Sequence, residues 1–459
     1  MSKVVDLQKR RYEAASKSTR TKNWYAPSTD ANAAIVYPQT IRNRARDLVR
    51  NNPWAQKGIS VITNNIVGYG IRAQWNARIK REAKRAQDIW KAWAESTQCD
   101  AQGLTDFYGI QQTAVRGMVE SGESLIRLRT RRAEDGLAIP FQLQVLEPDF
   151  LYEYNDGSLP NGGYIQRGIE YDAIGRRVAY YLHKYHPGNA GRFAGNFNET
   201  YSRVPAYEVI HLFRIDRPGQ ERGVSWLAPI IIRLKELDIY EDAYLNRQKI
   251  ANLFAAFIKS DDPDQKESDL TDSELLPALI YALKYKDDVV FSNPPKADDY
   301  GPYTLANLRA SAAGLNIPYE AFTGDLSEVN FSSGRMGWQE FGRSVDSWRW
   351  QLTIPRLCKG VERWFSDITA IDELNADWTP PARTMVDPGR EIPPIIDAMK
   401  NGLLPPPEAI RELGFDPEWV AQQYALWNAF LDQYKLSLET DPRGSNNGQQ
   451  NANTNQTAS

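Results

Sequence analysis

LANLRASAAGLNIPYEAFTGDLSEVNFSSGRMGWQEFGR, Leu305–Arg343, encodes a helix, a break, a polar loop and the start of a second helix. Ala306, Leu308, Ala312 and Leu315 recur at helical spacing and predict one apolar face. Gly314 and Pro318 are expected to end that helix, because Gly favours left-handed caps and Pro cannot continue a helix. Thr323–Asn330 is acidic and turn-rich, and Ser332 or Ser333 is the expected N-cap of the second helix. Spacing alone makes this a surface loop between two helices. A functional reading needs the rest of the chain.

The chain has 459 residues, 42% hydrophobic and 25% charged, with a formal net charge of -3. That length supports several structural units around a sizeable core. The charge balance does not imply a strongly basic, non-specific nucleic-acid binder. Cys99 and Cys358 sit in no paired motif, which argues for a reducing compartment. No apolar run approaches the roughly 20 residues of a membrane span. The N-terminus has no apolar signal-peptide core. The expectation is a soluble protein made inside a cell. The 13 Trp and 23 Tyr suit either large interfaces or a plain core.

Outward from the opening stretch, residues 1–40 carry clustered cations (Lys9, Arg10, Arg11, Lys17, Arg20, Lys22), and Pro27 and Pro38 should interrupt any helix. This predicts a flexible basic arm. Helical patterns cover 39–66, 77–97 and 106–120. Alternation then predicts strands at Glu123–Thr130 and Phe141–Leu146, and Tyr164–Tyr171, Val178–Tyr185 and Glu208–Phe213 read as further strands between turn signals, forming a mainly antiparallel sheet. Asp216–Gly223 reads as a breaker-rich hinge, after which Ser225 caps a helix running to about residue 259. An acidic segment comes next, with a short helix at Leu275–Lys284 and a strand at Asp287–Phe291. A helix from Ser332 to about Ile368 should kink at Pro355, which lacks an N–H and clashes with the preceding turn. Three short helices reach residue 436, and the Asn/Gln/Ser-rich tail from Glu439 reads as disordered. The fold class is α+β, rich in helix.

Catalytic motifs are missing. His183 and His186 form an H-x-x-H pair without a third ligand, so they read as strand-end histidines beside Tyr. There is no phosphate-binding Gly-rich loop and no nucleophile elbow. The acidic pairs Glu147-Pro148-Asp149 and Asp261-Asp262 read as solvated surface. No catalytic residue, metal ligand or cofactor is expected. On residues alone, a soluble enzyme with a diffuse carboxylate site and a non-ring scaffold protein stay open.

An ordered set of motifs resembles the lambda-type portal proteins of tailed bacteriophages. They are RNRARDLVRNNPWA (Arg42–Ala55), NNIVGYG (Asn64–Gly70), GIEYDAIGRRVAYYLHKYHPG (Gly168–Gly188) and VPAYEVIHLFRIDRPGQERGVSWLAP (Val204–Pro229). LRASAAGLNIPYEAFTGDLSEVNFSSGRMG (Leu308–Gly337), LTIPRL (Leu352–Leu357) and VDPGREIPPIIDAMKNGLLPPPEAIRELGFDPE (Val386–Glu418) continue in the same order. The resemblance implies a structural ring, usually of twelve subunits, at one capsid vertex of the virion, assembled in the host bacterial cytoplasm. Its implied partners are double-stranded DNA in the channel, the large terminase, major capsid and scaffolding proteins, and head–tail adaptors, with no membrane and no cofactor. The implied regions are a wing (41–224), stem helices (225–259 and 304–321), a clip (260–303), a tunnel loop (322–335), a kinked helix returning to the wing (336–378) and a crown (379–438). Gly324, Asp325, Leu326, Ser327, Glu328, Val329, Asn330, Phe331, Ser332 and Ser333 would face DNA. Asp261, Asp262, Asp264, Lys266, Glu267, Asp269, Lys286 and Asp287 would present the clip to terminase or adaptor.

Overall fold

The computed structural model describes residues 19, 22–35, 37–189, 201–251, 256–258, 280–282, 300–327, 331–383, 387–436 and 438; within these, the side chains of 133, 250, 251, 256–258, 280–282 and 331–333 are not described. The architecture is helix-rich α+β. Helices α1 (Pro38–Asn51) and α2 (Pro53–Ile66) each have Pro in the first turn, where its missing N–H costs nothing. Pro38 therefore opens a helix rather than interrupting one. Asn52, between them, caps α2 by accepting from Ala55 N–H at 2.9 Å. Strand β1 (Arg72–Asn76), α3 (Lys80–Ala94) and α4 (Phe107–Ser121) come next. Gly122, at φ 94°, stops α4.

Two antiparallel sheets occupy the middle of the chain. Strands β2 (Glu123–Thr130), β3 (Phe141–Leu146) and β9 (Val209–Phe213) pair in the order β3-β2-β9. A second sheet runs β4 (Gly157–Ser158), β5 (Tyr164–Gln166), β6 (Ile169–Tyr171), β7 (Arg177–His183) and β8 (Tyr201–Pro205). The single strand expected over Tyr164–Tyr171 is a hairpin. Arg167 (φ 48°) and Gly168 (φ 77°) form its two-residue turn, and Gln166 pairs with Ile169. Alternation did not mark β8, β1 or β12 (Asn375–Thr379), and β1 and β12 pair antiparallel across the whole chain.

The stem segment also departs from expectation. Ser225 Oγ accepts from Leu227 N–H (3.2 Å) in a turn, and helix α5 spans Ile231–Ala251 only. Ala256–Ile258 is strand β10, paired parallel with β11 (Ile280–Ala282). Thus Leu275–Lys284 contains a strand where a helix was expected; aromatic and β-branched residues such as Phe257, Ile258, Ile280 and Tyr281 fit a pleated surface. The expected strand Asp287–Phe291 lies outside the described residues, as does the tail from Glu439.

Helix α6 (Tyr300–Leu315) ends one step beyond the predicted cap. Asn316, at φ 57°, takes the left-handed position; its N–H reaches Ala313 O and that of Ile317 reaches Ala312 O. That is a Schellman closure with Asn in place of Gly. Gly314 sits inside the helix for a different reason. A Cβ there would lie 2.5 Å from Ile230 Cγ2, so the bare backbone lets α6 close on the turn before α5. On α6 the inward face includes Asn307 and Ser311, while Ala306 is exposed.

After α7 (Tyr319–Thr323), helix α8 (Phe331–Trp348) runs into a π-helical stretch, Arg349–Cys358, and then α9 (Lys359–Thr369). Pro355 lies within the π stretch, where the wider turn accommodates a residue without an N–H. The C-terminal helices are α10 (Pro388–Lys400), α11 (Pro406–Glu412) and α12 (Pro417–Tyr434).

One large core joins α1–α4, the three-stranded sheet, the start of α5, α6 and α8–α9. Trp90 lies at its centre, 5.1 Å from both Trp75 and Phe365 and 5.2 Å from Phe107. Trp75, Trp90, Trp93, Trp226, Trp364 and Trp378 are buried, so much of the aromatic content is core. A smaller core, including Leu146, Tyr180 and Leu182, fills the space by the five-stranded sheet.

A buried ion network joins these parts. Arg222 donates to Glu123 and, at 2.8 Å, to Glu153. Arg42 of α1 reaches Glu153 at 3.1 Å and lies 3.8 Å from Glu123. Burial opposes charge on Glu123, but Arg222 and the hydrogen bond from His211 hold its carboxyl well below the usual range. Burial pushes His211 down to about 4, so the ring is neutral. Its Nδ1 accepts from Arg177 (3.2 Å) and its Nε2–H donates to Glu123 (2.8 Å). Asp216–Gly223 is consequently an anchored loop, with Gln220 accepting from the Asp216 N–H (2.8 Å) and donating to Arg222 O (2.9 Å). Part of the N-terminal arm is anchored too. Asn32 bridges Gly219 O and Glu221 N–H, and Arg167 donates to the carbonyls of Asn32 and Ile35.

Two outcomes are expected from chemical denaturation. Gly314→Val should destabilise by about 1–3 kcal/mol through overpacking against Ile230; an unchanged midpoint would remove the close-approach argument. For pH, the folded pKa of His211 is depressed from 6.5 to about 4, so the unfolded chain binds the extra proton in that window. Stability should fall as pH drops from 6.5 to 4, then further as Glu123 protonates; His211→Gln should flatten the first part, and a slope identical to the parent would refute the assignment.

Candidate functional site

The loop after α7 is carried by rigid neighbours. Pro318 opens α7, and Phe322 inserts fully into the core, 6.2 Å from Trp54 of α2. Gly58 of α2 leaves room for it: a Cβ there would lie 2.6 Å from Leu315 and 3.1 Å from Phe322. Gly324, at φ 77°, closes α7 by donating to Glu320 O (2.7 Å). On the far side, Asn316 Nδ2 donates to Ser344 Oγ of α8 at 2.8 Å. Phe341 and Val345 of α8 are buried, and Trp338 packs on Phe341 at 5.8 Å.

Between these supports the described tip is Gly324, Asp325, Leu326 and Ser327, all exposed. Asp325 Oδ1 accepts from both the Ser327 N–H (3.0 Å) and the Ser327 hydroxyl (2.7 Å). These bonds stabilise the carboxylate and hold its pKa below the usual range. Leu326 is 67% exposed and points an apolar side chain at solvent beside a fixed negative charge. Glu328, Val329 and Asn330 lie outside the described residues. Phe331, Ser332 and Ser333 already lie in the first turn of α8, so neither Ser332 nor Ser333 is its N-cap.

The helix that leaves the loop is fastened to α2 and β9 by two arginines. Arg349 donates to Ile66 O (2.8 Å) and Asn65 O (2.7 Å), the last carbonyls of α2, where a cation also complements the helix dipole. Burial pushes its pKa down to about 10, and it stays charged at neutral pH. Arg356 donates to Phe213 O at 2.8 Å and lies 4.7 Å over the Phe213 ring. Helices α5 and α6 face each other through Tyr240–Tyr303 (4.5 Å), Tyr244–Tyr300 (4.6 Å) and Arg233–Asn307 (2.8 Å). Asn52 ties α5 to the α1–α2 junction through Asp238 at 2.7 Å. The clip residues Asp261, Asp262, Asp264, Lys266, Glu267, Asp269, Lys286 and Asp287 lie outside the described residues.

The remaining sequence candidates lie elsewhere in the fold. Glu147, Asp149 and His186 converge within 4.8 Å. Asp149 is largely buried, not solvated surface, because Arg46 (2.6 Å) and Arg42 (3.5 Å) neutralise it. His186 Nδ1 accepts from Gly188 N–H (3.0 Å), which leaves the proton on Nε2, 3.0 Å from Glu147. Arg46 thus pairs with both Glu147 (3.2 Å) and Asp149 within this cluster. His183 stacks edge-on against Tyr152 at 5.2 Å. Sequence reasoning missed the Glu123–Arg222–His211 network, because its members lie far apart in the chain among other polar residues. Among the described residues, no helix is long and apolar enough to cross a membrane.

Comparison with known proteins agrees with the resemblance. Residues 17–349 match the family described as phage portal protein, lambda family. A probable portal protein of Halomonas phage phiHAP-1 is 25% identical, over 89% of this chain and 84% of that protein. Portal protein B of Escherichia phage lambda is 24% identical, over 68% of this chain and 66% of that protein. Among solved structures, the neck of an empty GTA particle computed with C6 symmetry superposes with a TM-score of 0.47 at 13% identity, covering 83% of this chain and 94% of that one. The family match extends over most of the chain, and the chain belongs to the lambda family of phage portal proteins.

Proposed function

We propose that the chain assembles into a closed ring of about twelve copies that forms the DNA channel at one capsid vertex. The ring nucleates procapsid assembly, docks the large terminase during packaging, then joins head to tail through adaptor proteins and lets DNA leave at ejection. Family membership supports the portal role. The observation that carries the channel assignment is the tip at Asp325: a carboxylate locked by Ser327, exposed, and mounted on anchored helices.

A conduit must not grip its cargo. Every phosphate neutralised by Lys or Arg adds salt-sensitive affinity, and several such contacts would stall sliding DNA. A tip whose charge is negative repels the phosphates and keeps the duplex centred. No Lys or Arg occurs from Gly324 until Arg335. In this reading α5 and α6 are the stem pair, the segment 260–303 is the clip offered to terminase and adaptors, 322–335 is the tunnel loop, and 379–438 is the crown. The π stretch around Pro355 and the Arg349 and Arg356 clamps transmit the loop's position to the wing. The chain itself performs no chemistry; the packaging motor is the separate terminase.

Negative-stain images of the purified protein should show closed rings with a central hole, and monomers alone at high concentration would reject the ring. Asp325→Lys with Glu328→Lys should reduce DNA packaging about tenfold or more while rings still form; normal packaging would sink the tunnel-loop role. Removing residues 440–459 should leave ring formation unchanged, and loss of rings would contradict the disorder expected of that tail.

A further inference from the structure

The N-terminal half of α3 carries a charge arrangement that folding does not explain. Arg78, Lys80, Arg81, Lys84 and Arg85 fall within eight residues, against the single carboxylate of Glu82. All five cations are exposed, as is Ile79. Lys80, Lys84, Arg81 and Arg85 share the side of α3 opposite its buried face, Ala86, Trp90 and Trp93. Among the described residues none of the five has an ion-pair partner. The nearby Asp377 is taken, by Asn76 Nδ2 at 3.1 Å and by Arg411 at 3.6 Å.

The position is also the wrong end of a helix for positive charge. The macrodipole makes an N-terminus favour anions, and Ile79 supplies no side-chain cap. Cations packed there repel one another and the helix end, so the cluster works against the stability of α3 when unoccupied. A polyanion reverses both effects. Among the described residues of this face, Ile79 is the one exposed large apolar side chain, whereas protein partners need an apolar centre and phosphate backbones do not. The aromatic cavity beside α3, lined by Tyr69, Tyr108 and Trp419, borders its other half at Gln87, Trp90 and Lys91.

We infer that the basic face of α3 binds the phosphate backbone of double-stranded DNA, without regard to sequence, at a surface outside the channel. The chain then has two opposed electrostatic surfaces: an acidic loop that lets duplex pass and a basic face that holds it. This inference goes beyond the channel reading, and only its placement outside the channel rests on that reading.

The test uses purified full-length protein and relaxed, covalently closed circular duplex, which cannot thread a channel. Binding is measured from about 50 to 200 mM salt. The parent should bind the circle, and Arg81→Ala/Lys84→Ala/Arg85→Ala should weaken binding at least about tenfold and reduce the salt slope by about 2.7, at 0.9 per phosphate contact. Lys80→Glu/Lys84→Glu should weaken it likewise, which guards against one unsound variant. Both variants should melt no lower than the parent, since cations leave a helix N-terminus. Equal affinity and slope in parent and variants would overturn the inference. So would binding of linear but not circular duplex, an outcome that leaves the channel reading standing. Binding of a poly-glutamate peptide at the patch with no binding of circular DNA would assign the face to an acidic protein and overturn it too.

Discussion

A guanidinium and a carboxylate removed together from water must satisfy one another, and the Arg222–Glu123 pair imposes that condition on the molecule. Both side chains are about 1% exposed. Left alone, either charge would cost several kcal/mol. Satisfying them fixes where four separate pieces can sit. Arg42 brings α1, Glu153 brings the segment leading into the five-stranded sheet, His211 brings β9, and Gly223 donates its N–H to Glu123 at 3.0 Å. The loop 216–223 is pinned by this network, so the turn and α5 beyond it leave in a defined direction. Glycine chemistry supports the same junction: with no side chains at Gly122 and Gly223, the backbones there approach closer than any Cβ would permit.

The second organising element is the long helical run that begins at the loop. It enters as α8, widens into a π stretch holding Pro355, and continues as α9 into the Trp90 cluster through Phe365. Arginines occur along it where carbonyls need donors: Arg349 at the end of α2 and Arg356 at the end of β9. Each is a cation placed against oxygen dipoles rather than against a carboxylate, so the run is held without an acidic partner. The exposed tip keeps its carboxylate for itself, with Ser327 as its local donor. Position and charge at the tip are therefore set by different residues.

Much of this was legible in the chain. Amphipathic periodicity located α1–α4 and α8–α9, because a helix that buries one face must repeat apolar residues every three or four positions. Alternation located β2 and β3 for the corresponding reason. It failed where strands are short or paired across long separations. β1 and β12 meet some 300 residues apart, and their pairing is stabilised by Trp75 and Trp378 packing into a shared core, which no local window contains. The hairpin at Arg167-Gly168 was hidden because an Arg occupies a left-handed position usually given to Gly or Asn. Gly314 was read as a helix stop when its role is contact with Ile230.

By itself the sequence determined the family, the helix-rich α+β class, and the acidic character of the loop at Asp325, since these depend on residue order and local charge. Only the tertiary structure decided which charges are buried partners and which are free. Glu147-Pro148-Asp149 and Arg222 look like ordinary surface residues until Arg46, Arg42 and Glu123 arrive from far along the chain. The cations of α3 look equally ordinary and stay unpaired among the described residues. Electrostatic energy depends on distance in space and on exclusion of water, and neither quantity is written in the order of the residues.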